Sequence, residues 1–149
     1  LAAARERLEE LPGARLVKAS KVYETEPWGL KDQPWFHNQV LLLRLDPDWT
    51  PQAFLEALLG IEKDMGRKRE GERFGPRIID LDVLLFGDVV LESDALILPH
   101  PRMRLRAFIL VPLAEIAPDL VFPDGEGVGL ALSKRAFKIS GNVIFEADA

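Results

Sequence analysis

Arg73-Phe74-Gly75-Pro76-Arg77-Ile78-Ile79-Asp80-Leu81-Asp82-Val83-Leu84-Leu85-Phe86 is the stretch on which the reading of this sequence turns. Its second part, Ile78 to Phe86, has the apolar, branched composition of a strand. Side chains alternate along a strand, so Asp80 and Asp82 share one face while Ile79, Leu81 and Val83 take the other. Two such carboxylates repel one another unless something positive lies between them. A divalent cation resolves the conflict. Magnesium takes oxygen ligands, uses one or two carboxylates, and fills its other positions with water and phosphate oxygens. Two such ions can bridge both acids. A bare pair of acids two residues apart is also common on a solvent-facing strand, so the neighbours decide.

Those neighbours are basic. Gly75-Pro76 makes a turn, and Arg77 stands at the mouth of the strand. The segment from Gly66 to Arg77 is polar, carries Arg67 and Arg69, and reads as a mobile loop able to close over a phosphate chain. No G-x-x-x-x-G-K-[ST] phosphate loop is present. Of the 12 arginines, 7 fall between Arg67 and Arg106, in two short segments of a chain whose net charge is −5. That concentration suits a compact polyanion such as a nucleotide, although a salt-bridged surface would look similar.

The composition narrows the classes. At 149 residues, 48% hydrophobic and 29% charged, the chain reads as one soluble domain over 1–149. No apolar run approaches the roughly 20 residues of a membrane span. The acidic balance argues against whole-surface binding of nucleic acid. The absence of cysteine excludes disulfides, a thiol nucleophile and Cys-bound metal. Few Asn, Gln and Met and 11 prolines hint at a heat-adapted source. A cytoplasmic monomer is the simplest expectation.

Outward from the aspartates, the periodicity predicts a helix over Leu1–Leu11, a strand over Arg15–Glu24, a loop through Thr25–Trp35, and a strand over Phe36–Leu45. Thr50-Pro51 opens a second helix bearing Phe54, Leu58, Ile61, Glu62 and Met65. Gly87-Asp88 turns the third strand towards a short Val89–Leu91 partner. A third helix begins near Arg104, with Pro112 expected to interrupt it and Pro118 to end it. The chain from Pro123 reads as loose, with strand character over Phe137–Ala147. One strand placed before Leu1 would complete βαββαβ, the ferredoxin-like α+β two-layer sandwich. The chain as given lacks that first strand, and residues 137–147 could occupy part of its place.

Arg73-Phe-Gly-Pro-Arg77-x-x-Asp80-Leu-Asp82 resembles the signature of the hydroxymethyldihydropterin pyrophosphokinases of folate biosynthesis. The likeness extends through Tyr23-Glu-Thr25-Glu-Pro27-Trp-Gly29, Gln33-Pro34-Trp-Phe36-His-Asn38, Pro99-His100-Pro-Arg102 and Arg106-x-Phe108 to Pro112-Leu-x-Glu-Ile-Ala-Pro118. It covers about residues 1–125 and leaves the tail, 126–149, without a role. Members of that family transfer pyrophosphate from ATP to the hydroxymethyl group of the pterin and release AMP. The resemblance implies that Asp80 and Asp82 hold two magnesium ions and that Arg67 and Arg77 act on the transferring phosphates. It implies ATP contacts from Glu62, Arg69, Phe74, His100 and Arg106. The pterin would lie between Phe36 and Phe108, with Asn38 at its edge and Thr25, Glu26 and Trp28 lining the pocket. Either phenylalanine alone would be read as ordinary core packing; their joint placement favours a flat heteroaromatic ligand. His37 and Trp49 read as structural. The competing expectations are a ferredoxin-like nucleotide- or RNA-binding module and an inactive or incomplete member of the family.

Overall fold

The computed structural model describes residues 1–25, 35–67 (Arg67 by its backbone alone) and 79–146. The first helix, α1 (Ala2–Glu9), buries Ala4 and Leu8 and gives way at Pro12-Gly13 to β1 (Ala14–Ala19). Gly13 has φ of 71°, in the left-handed region that favours glycine, and a Cβ there would press on the Asp46 side chain. Next come β2 (Tyr23–Thr25), β3 (Phe36–Asn38) and β4 (Leu41–Leu45). The Thr50 hydroxyl accepts the Ala53 N–H at 3.1 Å and caps α2 (Pro51–Arg67), as Thr50-Pro51 predicts. The remaining elements are β5 (Leu91–Glu92), β6 (Ile97–Leu98), a 3₁₀ turn (Met103–Leu105), α3 (Ala107–Ile116), α4 (Val128–Ser133), β7 (Phe137–Ser140) and β8 (Val143–Glu146).

The fold is α+β, with helices packed on mainly antiparallel sheets. The described strands form three sheets: β1 with β4, β3-β2-β8-β7 in that order, and β5 with β6. Two long strands expected from sequence are each divided. The breaks lie opposite one another, at Ser20–Val22 and Gln39–Val40. Ser20 causes them. Its hydroxyl accepts the Val40 N–H at 3.0 Å, its carbonyl accepts from the Gln39 amide at 2.7 Å, and the Lys21 N–H turns away to the Glu115 carboxylate. The Ser20 N–H still donates to the Val40 carbonyl at 2.9 Å, while side chains take over neighbouring bonds that a continuous ladder would make.

The third strand expected over Ile78–Phe86 is corrected. Residues 79–86 join no ladder among the described residues. The Leu81 N–H goes to Glu62 instead, and the Leu84 carbonyl accepts the His100 N–H. The alternation nevertheless holds: Ile79 and Val83 are buried while Asp80 and Asp82 are exposed. Leu91–Glu92 pairs with Ile97–Leu98 rather than with the segment before Gly87. Pro112 does not interrupt α3, which runs through it to Ile116. Its ring is fully buried, and packing offsets the backbone bond that proline cannot donate. Pro118 follows the helix end as predicted.

The tail is ordered where the sequence suggests looseness. After α4, β7 and β8 form a hairpin around Gly141-Asn142, with Gly141 at φ of 61°. β8 then pairs parallel with β2, Glu24 opposite Val143 and Thr25 opposite Ile144. Residues 137–146 therefore enter the main sheet.

Three apolar clusters hold these elements together. Leu8, Phe54, Leu58, Ile61, Val83 and Leu98 join α1 and α2 to β4. Met103, Leu110, Leu113, Ile116, Phe122 and Val128 join α3 to α4. Tyr23, Ala107, Val111 and Ile144 join the tail hairpin to α3. Val83 belongs to the first cluster, and Leu84 and Leu85 pack on the second, so the aspartate segment is wedged between two cores.

Candidate active site

Burial of Ile79 and Val83 turns Asp80 and Asp82 outward together. From α2, the Glu62 carboxylate reaches this segment and accepts the Leu81 N–H at 2.6 Å. That charge-assisted bond falls on the peptide between the two acids and ties their backbone to a long helix. The bond uses one carboxylate oxygen of Glu62, Oε2.

His100 stands beside these acids. Its Nδ1 accepts the Arg102 N–H at 3.2 Å, which leaves the neutral ring's proton on Nε2. Burial pushes its pKa below the usual value; the Asp82 charge opposes this, and Arg106 and Arg102 add to it. One imidazole therefore feels the charges of Asp82, Arg106 and Arg102 together. We expect the His100 ring, followed by NMR, to titrate below 6.5. Asp82→Asn should lower that midpoint further, because the opposing charge is removed; an upward shift would separate Asp82 from His100. A lowered folded-state pKa also means that this residue's contribution to stability is complete above the ordinary histidine range. The contribution is lost as pH falls through the folded value.

The second arginine segment divides in an unforeseen way. Arg104 bonds Asp124 at 2.6 Å and Glu126 at 3.2 Å, and lies 4.1 Å from the centre of the Phe122 ring. Its hydrogen bond holds the Asp124 carboxyl below its usual range, and at Glu126 the Lys134 hydrogen bond, with Arg104 second to it, does the same. Arg104 is thus committed to the loop after α3. Arg106, at the start of α3, lies over the Phe108 ring at 5.5 Å.

Phe108 packs on the cluster of Tyr23, Ala107, Val111 and Ile144. Register places Thr25 opposite Phe36 and Tyr23 opposite Asn38, so these four share the sheet face turned towards α3. The Asn38 amide donates to the Thr25 hydroxyl at 3.0 Å. Tyr23 donates its hydroxyl proton to Glu115 at 2.6 Å, and burial with this bond pushes its pKa up to about 12. Phe36, half exposed, presents an aromatic face beside the buried Thr25. On the opposite face lie Trp35 against Phe145 and His37 against Glu24, with no part in this grouping. Trp49 donates to the Pro12 carbonyl and packs on Phe54, a structural role as expected.

Thus Thr25, Phe36 and Asn38 share the sheet face packed on α3, on which Phe108 also packs, and Arg106, His100 and Asp82 lead from there to Asp80 and Glu62. Glu26, Trp28, Arg69, Phe74 and Arg77 lie outside the described residues, as does the side chain of Arg67. The sequence reading held Glu115 only as a motif position without a role and missed Glu146, which accepts the Ala107 N–H at the start of α3. Neither role can be read locally, because each acts on a residue at least 39 positions away.

Residues 1–118 match the family model described as 7,8-dihydro-6-hydroxymethylpterin-pyrophosphokinase. A Methylorubrum extorquens protein named 2-amino-4-hydroxy-6-hydroxymethyldihydropteridine pyrophosphokinase is 50% identical over 134 residues, covering 90% of this chain and 82% of its own length. A Pseudomonas aeruginosa protein of the same name is 47% identical over 136 residues, 91% of this chain and 82% of the relative. One from Haemophilus influenzae, also of that name, is 38% identical over 126 residues, 85% of this chain and 77% of its own.

Proposed function

Because the chain belongs to the 7,8-dihydro-6-hydroxymethylpterin-pyrophosphokinase family, we propose that it transfers pyrophosphate from ATP to 6-hydroxymethyl-7,8-dihydropterin in folate biosynthesis. The observation that carries this reading is the path from the Thr25–Phe36–Asn38 sheet face, through Phe108 and Arg106, to His100 and Asp82. It has an aromatic, amide-bearing end suited to a pterin and a charged end suited to a triphosphate. The hydroxymethyl oxygen bonds to the β-phosphorus, the bond from that phosphorus to the α-phosphate oxygen breaks, AMP leaves, and the hydroxyl proton passes to solvent. Such a transfer depends on positioning and charge stabilisation and needs no covalent nucleophile.

Phe36 and Phe108 hold the pterin ring, and Asn38, with Thr25, Glu26 and Trp28, meets its edge. Arg106 and the Nε2–H of His100 hold the phosphates, joined by Arg67, Arg69 and Arg77, and Phe74 serves ATP binding. Glu62 serves the nucleotide side by fixing the segment that bears the two acids. The donor set fits magnesium: two exposed carboxylates offer hard oxygens. Among the described residues no group of three or more His, Asp or Glu forms a closed protein cage. Asp80 and Asp82 would hold two ions. Magnesium there would neutralise phosphate oxygens and stabilise the charge on the transferring group.

The mixed α/β architecture supports a ferredoxin-like βαββαβ plan, one domain over 1–149, working as a cytoplasmic monomer. No helix among the described residues is long and apolar enough to cross a membrane. The RNA-binding alternative is not favoured, because two outward carboxylates would repel a phosphate backbone. Incubation with ATP, magnesium and the pterin should yield AMP and the pterin pyrophosphate, resolved by phosphorus NMR. Formation of ADP, or pterin-independent hydrolysis alone, would overturn the assignment.

A further inference from the structure

We infer that Glu146, in the tail beyond the family match, is a positioning residue that sets the start of α3 and hence Arg106 and Phe108 together. The inference rests on the substrate roles proposed above for those two residues. The first N–H groups of a helix have no partner inside it, and a side-chain acceptor normally satisfies one of them. At α3 the preceding residue is Arg106, whose side chain makes no capping bond and could not accept one. Glu146 supplies the acceptor from a distant part of the chain, its Oε1 taking the Ala107 N–H at 2.9 Å. A carboxylate in this place also complements the positive end of the helix.

Its placement is specific. Glu146 is two residues beyond Ile144 on β8, so both side chains leave the same face of the strand. Ile144 is buried against Ala107 and Val111, and this brings the carboxylate to the helix start. Arg135 stands behind it: its Nε is buried, makes no hydrogen bond among the described residues, and lies 3.9 Å from Glu146 Oε2. The side chains of Arg135 and Glu146 are only 19% and 14% exposed. One carboxylate oxygen thus bonds the helix start, and the other faces the Arg135 guanidinium at ion-pair distance. Arg106 and Phe108 flank the bonded Ala107 on either side, and each is assigned a different substrate. A shift of this one peptide would disturb both binding sites at once.

The test uses the full chain with Glu146→Ala, Glu146→Met and Glu146→Gln. Alanine removes the acceptor, methionine removes it while keeping the length of the side chain, and glutamine keeps an acceptor oxygen. We expect the first two to raise KM for both ATP and the pterin by about tenfold, with kcat changed much less. Glutamine should restore both values to near those of the parent. Merely structural damage would lower kcat with the active fraction and leave KM unchanged, and that result overturns the proposal. Hydrogen exchange at residues 107–109 provides an arm independent of turnover. Exchange should quicken in the alanine and methionine variants and not in glutamine; unchanged rates in all three also overturn the proposal. If the parent chain itself forms no AMP, the pyrophosphokinase reading has failed, and the exchange arm alone decides the role of Glu146.

Discussion

Asp82→Ala is expected to lower the rate of AMP formation by about 10³-fold, the scale of losing one preorganised electrostatic group at a transferring centre. Asp80→Ala should behave alike. Both side chains point outward from a segment whose anchors are Ile79 and Val83, and neither substitution removes a core contact. Exposed replacements of this kind usually change stability by no more than about 0.5 kcal/mol. The melting temperature of Asp82→Ala should therefore stay within about 2 °C of the parent. Magnesium titration adds a second reading: each variant should need a higher magnesium concentration for its residual activity. Turnover within a few-fold of the parent for either variant would remove the carboxylate assignment. Loss of activity matched by a large fall in melting temperature would instead make these acids structural.

The largest stability effect is expected from a residue in the tail. Ile144 is only 2% exposed and packs with Tyr23, Ala107 and Val111, which belong to β2 and α3. Ile144→Ala removes buried methyl and methylene groups and leaves a cavity in which three elements meet. The cost should be about 2–5 kcal/mol, lowering the melting temperature by about 10 °C. Its cross-strand neighbour Ile139 is 44% exposed, so Ile139→Ala should cost no more than about 0.5 kcal/mol. Thermal unfolding of the pair measures how firmly the hairpin is docked. Equal, small effects would mean that the hairpin does not contribute to the core beneath the candidate site.

Local signals carried much of the fold. The Thr50-Pro51 cap, the apolar stripe of α2, the end of α3 before Pro118 and the outward pair of aspartates could all be read along the chain, because each depends on neighbours within a turn or two. The two divided strands could not. Ser20 meets Val40 twenty residues away, and Lys21 meets Glu115 ninety-four residues away. Nothing near Ser20 signals that its hydroxyl will replace a ladder bond. Pro112 misled for the opposite reason. The local rule for proline is sound, yet burial of the whole ring at the centre of a packed helix overrides it.

The site divides along the same line. By itself the sequence determined the chemistry available: two acids in alternation, arginines gathered around them, an aromatic and an amide two residues apart on one strand face. These are properties of residue type and spacing, which the periodicity of the backbone turns directly into direction. Only the tertiary structure decided which groups are committed to one another. It sends Arg104 to Asp124 and Glu126, Glu62 to the backbone between the acids, and Glu146 to the start of α3, while His100 comes within the fields of Asp82, Arg106 and Arg102. Ion pairs and capping bonds between distant segments form only after cores of Leu, Phe and Ile have brought those segments together. Burial is cumulative and non-directional, so no short stretch of sequence records which partners it will deliver.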